Sequence, residues 1–281
     1  MSLGTGIFRW RTMVSAAAAV AASLLGAITG PVQAADDVWP SLQKEIFNGR
    51  KIAAAGPLFS LFVPAQAADA ALVPVSIRLP DAVARKSKAL TLLIDRNPAP
   101  VAAAFEFADG FRGGPDIGER LIETRIRIDS FSQVRAVLEL TDGTLHVASK
   151  FVAGAGGCSA PSSKDTDAAL AGLGAIRIDM LRNPVRGEPW RDLRVMIRHP
   201  NFTGMQMSAA TSTYVPARFV DTLEVSRDGV LALRMTGGIS LSENPHLRLS
   251  FGSSQASETI AVTATDSAGA RFAASSVADG S

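Results

Sequence analysis

One side chain in this 281-residue sequence has the type and setting for covalent chemistry. It is Cys158, the only cysteine, in FVAGAGGCSAPSSKD (151–165). No large apolar residue lies between Ala153 and Asp167, so the local sequence offers the thiol no core of its own. Gly154, Gly156 and Gly157 strip side chains from the approach to the sulfur and give the backbone wide conformational freedom. Six residues beyond Val152, at about 3.3 Å each, Cys158 could reach up to ~20 Å from a strand end. A thiol near its ordinary pKa of ~8.5 is only a few per cent thiolate at neutral pH. It would be quiet alone and reactive inside a partner that supplies positive charge. These are the properties of a carrier arm, with the glycines supplying its flexibility.

Other candidate groups do not assemble into a site. A nucleophilic cysteine needs a base held rigidly beside it. His146, His199 and His246 all lie on or beside expected strands, away from the arm. None has a second ligand at helical spacing, so no metal site is expected. Met205 and Met207 in FTGMQM alternate like strand residues and read as core packing. The GAGG stretch lacks the Lys-Ser/Thr of a phosphate loop, and Pro161 interrupts any following helix. No catalytic residue, cofactor or metal is expected; the chain reads as a non-enzyme.

The N-terminus places the thiol in an oxidising compartment. Arg9 and Arg11 precede an apolar run from Val14 to Ile28, and Val32-Gln33-Ala34 fits small-x-small cleavage. Residues 1–34 thus read as a secretory signal peptide, with a run shorter than the ~20 residues needed to span a bilayer. The expected destination is the bacterial periplasm, with no membrane attachment after cleavage. The chain has 28 basic and 26 acidic residues, and loss of Arg9 and Arg11 leaves 26 of each. No basic cluster interleaved with aromatics is present, which excludes a nucleic-acid footprint. A single cysteine in an exported protein forms no internal disulfide and points to intermolecular pairing or a free reactive thiol.

The elements that position the cysteine read as strands. Before it, VPVSIRL (73–79), LTLLID, AAFEFA (103–108), ETRIRID (123–129) and VRAVLEL (134–140) alternate with a period of two. In ETRIRID, Ile126 and Ile128 face one way while Arg125, Arg127 and Asp129 face the other. After it come IRIDML (176–181), LRVMIRH (193–199), RFVDTLEV (218–225), VLALRM (230–235), LRLSFG (247–252) and TIAVTAT (259–265). Asp142-Gly143 and Asp228-Gly229 are hairpin turns, because both residues tolerate positive φ; Asp266 to Gly269 is a third. One helix is expected in DDVWPSLQKEIFNG, capped by Asp36 or Asp37 and stopped at Asn48-Gly49. The pattern is all-β, with two β-sandwiches at 35–152 and 175–281. A Gly/Ser/Ala linker at 153–174 buries too little to become ordered.

Several stretches together resemble a known family. DRNPAPVAAAFEF (95–107) and ETRIRIDSFSQVRAVLELTDGTLHVASKFVAGAGGC (123–158) resemble the SoxY carrier subunit of bacterial sulfur oxidation. RVMIRHPNFTGMQM (194–207), YVPARFVDTLEV (214–225) and GISLSENPHLRLSF (238–251) resemble SoxZ. The fusion is most similar to SoxYZ-like carriers associated with quinoprotein dehydrogenases. The resemblance implies two immunoglobulin-like sandwiches packed as a pair, and sulfur intermediates held covalently on Cys158, with Gly156 and Gly157 matching the glycines before the carrier cysteine. It implies partners among periplasmic enzymes: a c-type haem enzyme that conjugates thiosulfate, and others that oxidise or hydrolyse the bound sulfur. The alternatives are a binding or assembly module for a periplasmic quinoprotein (PQQ) dehydrogenase, and a thiol redox sensor. One departure stands out. The SoxY arm ends the chain as GGCGG, whereas here Ser159-Ala160-Pro161 follow and the chain continues, so the arm would enter a partner as two strands.

Overall fold

The computed structural model describes Met1 and residues 37–113, 118–161, 166–183, 190–208, 210–252 and 257–279. The expected signal peptide, apart from Met1, lies outside them. Helix α1 (Trp39–Phe47) comes first and ends at Asn48 in the left-handed conformation (φ 52°), as the Asn-Gly stop requires. Its N-cap is Val38, with no side-chain cap bond, so the expected aspartate cap is not used. The helix lays Phe47 onto Leu93, Val137 and Leu145.

The first half then forms β1 (Ile52–Ala54), β2 (Ser60–Phe62), β3 (Val73–Leu79), β4 (Ser87–Ile94), β5 (Val101–Phe107), β6 (Arg120–Ile126), β7 (Ser132–Leu140) and β8 (Leu145–Val152). The second half forms β9 (Ile176–Arg182), β10 (Trp190–Ile197), β11 (Val220–Arg227), β12 (Val230–Gly237), β13 (His246–Gly252), β14 (Ser257–Asp266) and β15 (Arg271–Asp279). The all-β expectation holds: two immunoglobulin-like sandwiches in tandem, preceded by a short helix. The hairpin turns are also as read. Gly143 has φ 84°, and Asp228 and Gly229 are both positive at 45° and 78°. The short strands β1 and β2 and the last strand β15 carry no strong alternation and were not expected.

The two sandwiches are joined through both of their sheets. One nine-stranded sheet runs β1-β8-β7-β4-β5-β12-β11-β14-β15, and a six-stranded sheet runs β2-β3-β6-β13-β10-β9. The halves meet where β5 pairs antiparallel with β12, Phe105 opposite Met235 and Phe107 opposite Leu233. They meet again where β6 pairs with β13, Glu123 opposite Arg248. Joining edges this way satisfies strand N–H and C=O groups that would otherwise be exposed. A single apolar cluster fills the space between the sheets and includes Ile77, Leu92, Phe105 and Ile122 of the first half with Leu193, Leu223, Met235 and Phe251 of the second.

Candidate functional site around Cys158

Past β8 the chain runs beside residues 65–67, held by Ala153 N–H to Ala65 O (2.8 Å) and Ala67 N–H to Ala153 O (2.9 Å). It then folds into a tight turn closed by Ala160 N–H to Gly156 O at 2.9 Å. Gly156 N–H donates to Asp129 O (2.8 Å) and Gly157 N–H to Ile128 O (2.9 Å). Gly156 adopts φ 75°, which turns the backbone inward. Ala155, Gly156 and Ser159 stay exposed while Gly157 and Cys158 face the protein.

The thiol is not in the open as the sequence suggested: Cys158 is 0% exposed. The cover that the local sequence lacks comes from other segments, from the backbone of Ala70 and Ile128 and from Thr203, and the glycines are what let them close in. A Cβ on Gly157 would come 2.1 Å from Ala70 O and 2.7 Å from Ile128 O. One on Gly154 would come 3.1 Å from the Ala67 Cβ. In this docked state Gly154 and Gly157 serve close approach and Gly156 the left-handed turn, where flexibility was expected. Burial pushes the Cys158 thiol up to about 12, Asp129 adds to the shift, and Arg127 opposes it. The sulfur is therefore a protonated, quiet thiol while docked.

Two residues that alternation does not pick out, Arg127 and Gln206, complete the site. Arg127 was placed on an outer strand face, but β6 ends at Ile126 and the chain leaves the ladder, with Arg127 N–H bonding Ser240 O and Ile128 N–H bonding Ala70 O. Arg127 is consequently 2% exposed, donating Nη1–H to Gly157 O (3.1 Å) and Nε–H to Leu241 O (3.3 Å). The FTGMQM segment also has the opposite phase to that expected. Met207 is 54% exposed, and Gln206 between the two methionines is buried. Thr203 of the same segment donates its hydroxyl to Cys158 O at 2.6 Å, and Gln206 Oε1 accepts the Thr203 N–H at 2.9 Å. The cysteine that ends the first half is thus covered by a loop of the second.

The histidines have other partners. His199 is fully buried; its Nδ1 accepts the Asn201 N–H (3.0 Å), which leaves Nε2–H facing Asp266 Oδ2 at 3.5 Å. Burial holds its pKa below the ordinary value despite the pull of Asp266. His146 lies beside Thr144 at 3.3 Å. Burial and the nearby Arg125 lower the pKa of His246. Among the described residues no histidine hydrogen-bonds to the Cys158 turn, and no group of metal-ligating side chains is found.

The two halves of the chain match two families. Residues 43–158 match "Sulfur oxidation protein SoxY", a match that ends on the cysteine itself, and residues 181–277 match "Sulphur oxidation protein SoxZ". No curated protein matches the chain. Among solved structures, the sulfur carrier protein SoxY from Chlorobium limicola f thiosulfatophilum is 17% identical, with 42% of this chain and 91% of that one covered and a TM-score of 0.31. The secreted serine protease VesC from Vibrio cholerae is 9% identical, with 76% and 49% covered and a TM-score of 0.24. Likenesses of that size transfer no site to this chain. With a SoxY domain followed by a SoxZ domain in one polypeptide, the chain belongs to the SoxYZ-like proteins.

Proposed function

We propose that this protein is a covalent carrier in sulfur oxidation, holding sulfur intermediates on Cys158 and presenting them to partner enzymes without a catalytic site of its own. The observation that carries the reading is the coincidence of the SoxY match with the chain's only thiol, its last matched residue. The docked turn gives the carrier a resting state. Its hydrogen bonds contribute about 1 kcal/mol each, comparable with the ~1–2 kcal/mol per residue needed to order the backbone. Local opening is therefore cheap relative to unfolding the sheets. Opening frees the thiol from burial and returns its pKa toward ~8.5, where a basic partner site can ionise it.

Because the chain continues beyond Ser159, the open segment enters a partner as two strands of backbone. That requires an opening roughly 10 Å across, about the spacing of two strands with their bulk. An open cleft suits this arm better than a narrow tunnel, and the partners are periplasmic sulfur-oxidation enzymes or a quinoprotein dehydrogenase system. The reading is tested by replacing the gene with a Cys158→Ser version in the host. Loss of the sulfur-compound oxidation that the natural protein supports is expected. Unchanged oxidation rates would reject the carrier role.

A further inference from the structure

The outer face of the six-stranded sheet holds a cluster of charge to which no residue of the Cys158 turn contributes. Where β6 of the first half meets β13 and β10 of the second, a cavity of about 430 Å³ is lined by Arg125, Arg177, Arg194, His246 and Arg248. Its two carboxylates are already engaged. Arg248 donates Nη1–H to Glu123 Oε2 (2.8 Å) and Nη2–H to Asp192 Oδ2 (2.5 Å), and Arg177 Nε–H holds Asp179 Oδ2 at 2.8 Å. Among the described residues no carboxylate pairs with Arg125 or Arg194, and Arg194 stands directly opposite Arg248 across the β10–β13 pair. Like charges in that position destabilise a sheet, and an arriving anion relieves them. Two atoms of the lining residues, Arg248 Nε and His246 Nδ1, are buried without hydrogen-bond partners. Burial and then Arg125 hold His246 toward its neutral form; Arg194 and Arg248 add to this and Glu123 opposes it. Three guanidiniums therefore act together at one imidazole. Beyond Arg125 and His246 lies a second cavity of about 460 Å³, walled by Phe62, Val63, Pro64 and Pro74, apolar surface that screens charge less than water does.

We propose that this basin is a noncovalent binding site for a doubly charged tetrahedral oxyanion, with Arg125 and Arg194 as its donors and Arg248 adding charge. Sulfate and thiosulfate are members of the class. Arg125 and Arg194 are both exposed, so the anion is held at the surface and keeps part of its hydration. Arg125 comes from the SoxY half and Arg194 from the SoxZ half, so the site exists only where the two are joined. The proposal goes beyond the carrier reading: the ligand forms no bond to sulfur, and the site stands or falls without Cys158.

The test uses the full chain carrying Cys158→Ser, so that no reaction at sulfur contributes. Histidine ring resonances are followed by NMR while sodium sulfate, thiosulfate, acetate or chloride is added at matched ionic strength. Sulfate and thiosulfate should shift the His246 resonances along saturating curves and raise its pKa, because a bound anion favours the imidazolium. Acetate and chloride should not saturate, and His199, enclosed beside Asp266, should not respond. Arg125→Gln and Arg194→Gln, at exposed positions, should each weaken sulfate binding about tenfold, the loss expected for one charge-assisted hydrogen bond. Four anions acting alike would reduce the basin to an ordinary screened face and overturn the proposal. Saturation that survives both substitutions would overturn it too. Carriage on Cys158 is measured separately in the host, so either reading can fail with the other intact.

Discussion

The hydroxyl of Thr203 donates to the carbonyl oxygen of Cys158 at 2.6 Å, so a loop of the SoxZ domain closes over the cysteine that ends the SoxY domain. The same hydroxyl accepts the Met205 N–H at 3.1 Å, which fixes the loop as it fixes the turn. Thr203→Val keeps the shape and removes both bonds. Loss of about 1 kcal/mol from docking should raise the rate of Cys158 alkylation roughly fivefold, measured by mass spectrometry at neutral pH. An unchanged rate would mean that this bond does not hold the turn.

Gly157→Ala should abolish the docked state. The added methyl would lie 2.1 Å from the Ala70 carbonyl oxygen, and backbone cannot move aside cheaply. Cys158 should then react with iodoacetamide at close to the rate of a free peptide thiol, against slow labelling in the natural protein. The melting temperature should change little, since the sheets are untouched. Slow labelling in this variant would show that the turn docks some other way.

Alkaline pH should open the same turn. The docked thiol has a pKa of about 12, whereas the exposed thiol ionises near ~8.5. Below ~8.5 both states are protonated and docking is intact. Between that value and about 12 only the open state loses its proton, so docking weakens by about 1.4 kcal/mol per pH unit. Amide exchange at Gly157 over this range should accelerate beyond its intrinsic base catalysis, and Cys158→Ser should remove the excess.

A chain cut by a protease site engineered after Pro161 should remain one particle. The halves share β5–β12 and β6–β13 pairing and one apolar cluster. Co-elution of the fragments on a sizing column without denaturant is expected, and separation would contradict the shared sheets.

Much of this was legible from alternation and turn chemistry. Strands such as Val73–Leu79 keep a strict buried-exposed rhythm, and Asp228-Gly229 can hardly do anything but turn. Continuity of the two sandwiches was not legible, because an edge strand and an interior strand carry the same period of two. The site was legible only in its cysteine. Arg127 and Gln206 were missed because their segments leave the ladders, where alternation no longer tells inside from outside. The burial of Cys158 was missed for a related reason: a stretch of glycine and alanine brings no apolar surface of its own, yet it lets the backbone approach Ala70 and Ile128 closely.

Sulfur carried on Cys158 is read directly by the intact mass of protein purified from its host without reductant. Purification should follow growth on an oxidisable sulfur compound. A fraction of the molecules is expected to show added sulfur or sulfonate, located to the peptide holding Cys158. A thiol reductant should remove the increment, and Cys158→Ser protein should lack it. A mass that is unmodified under those conditions, or modified equally in the Cys158→Ser protein, would contradict the account.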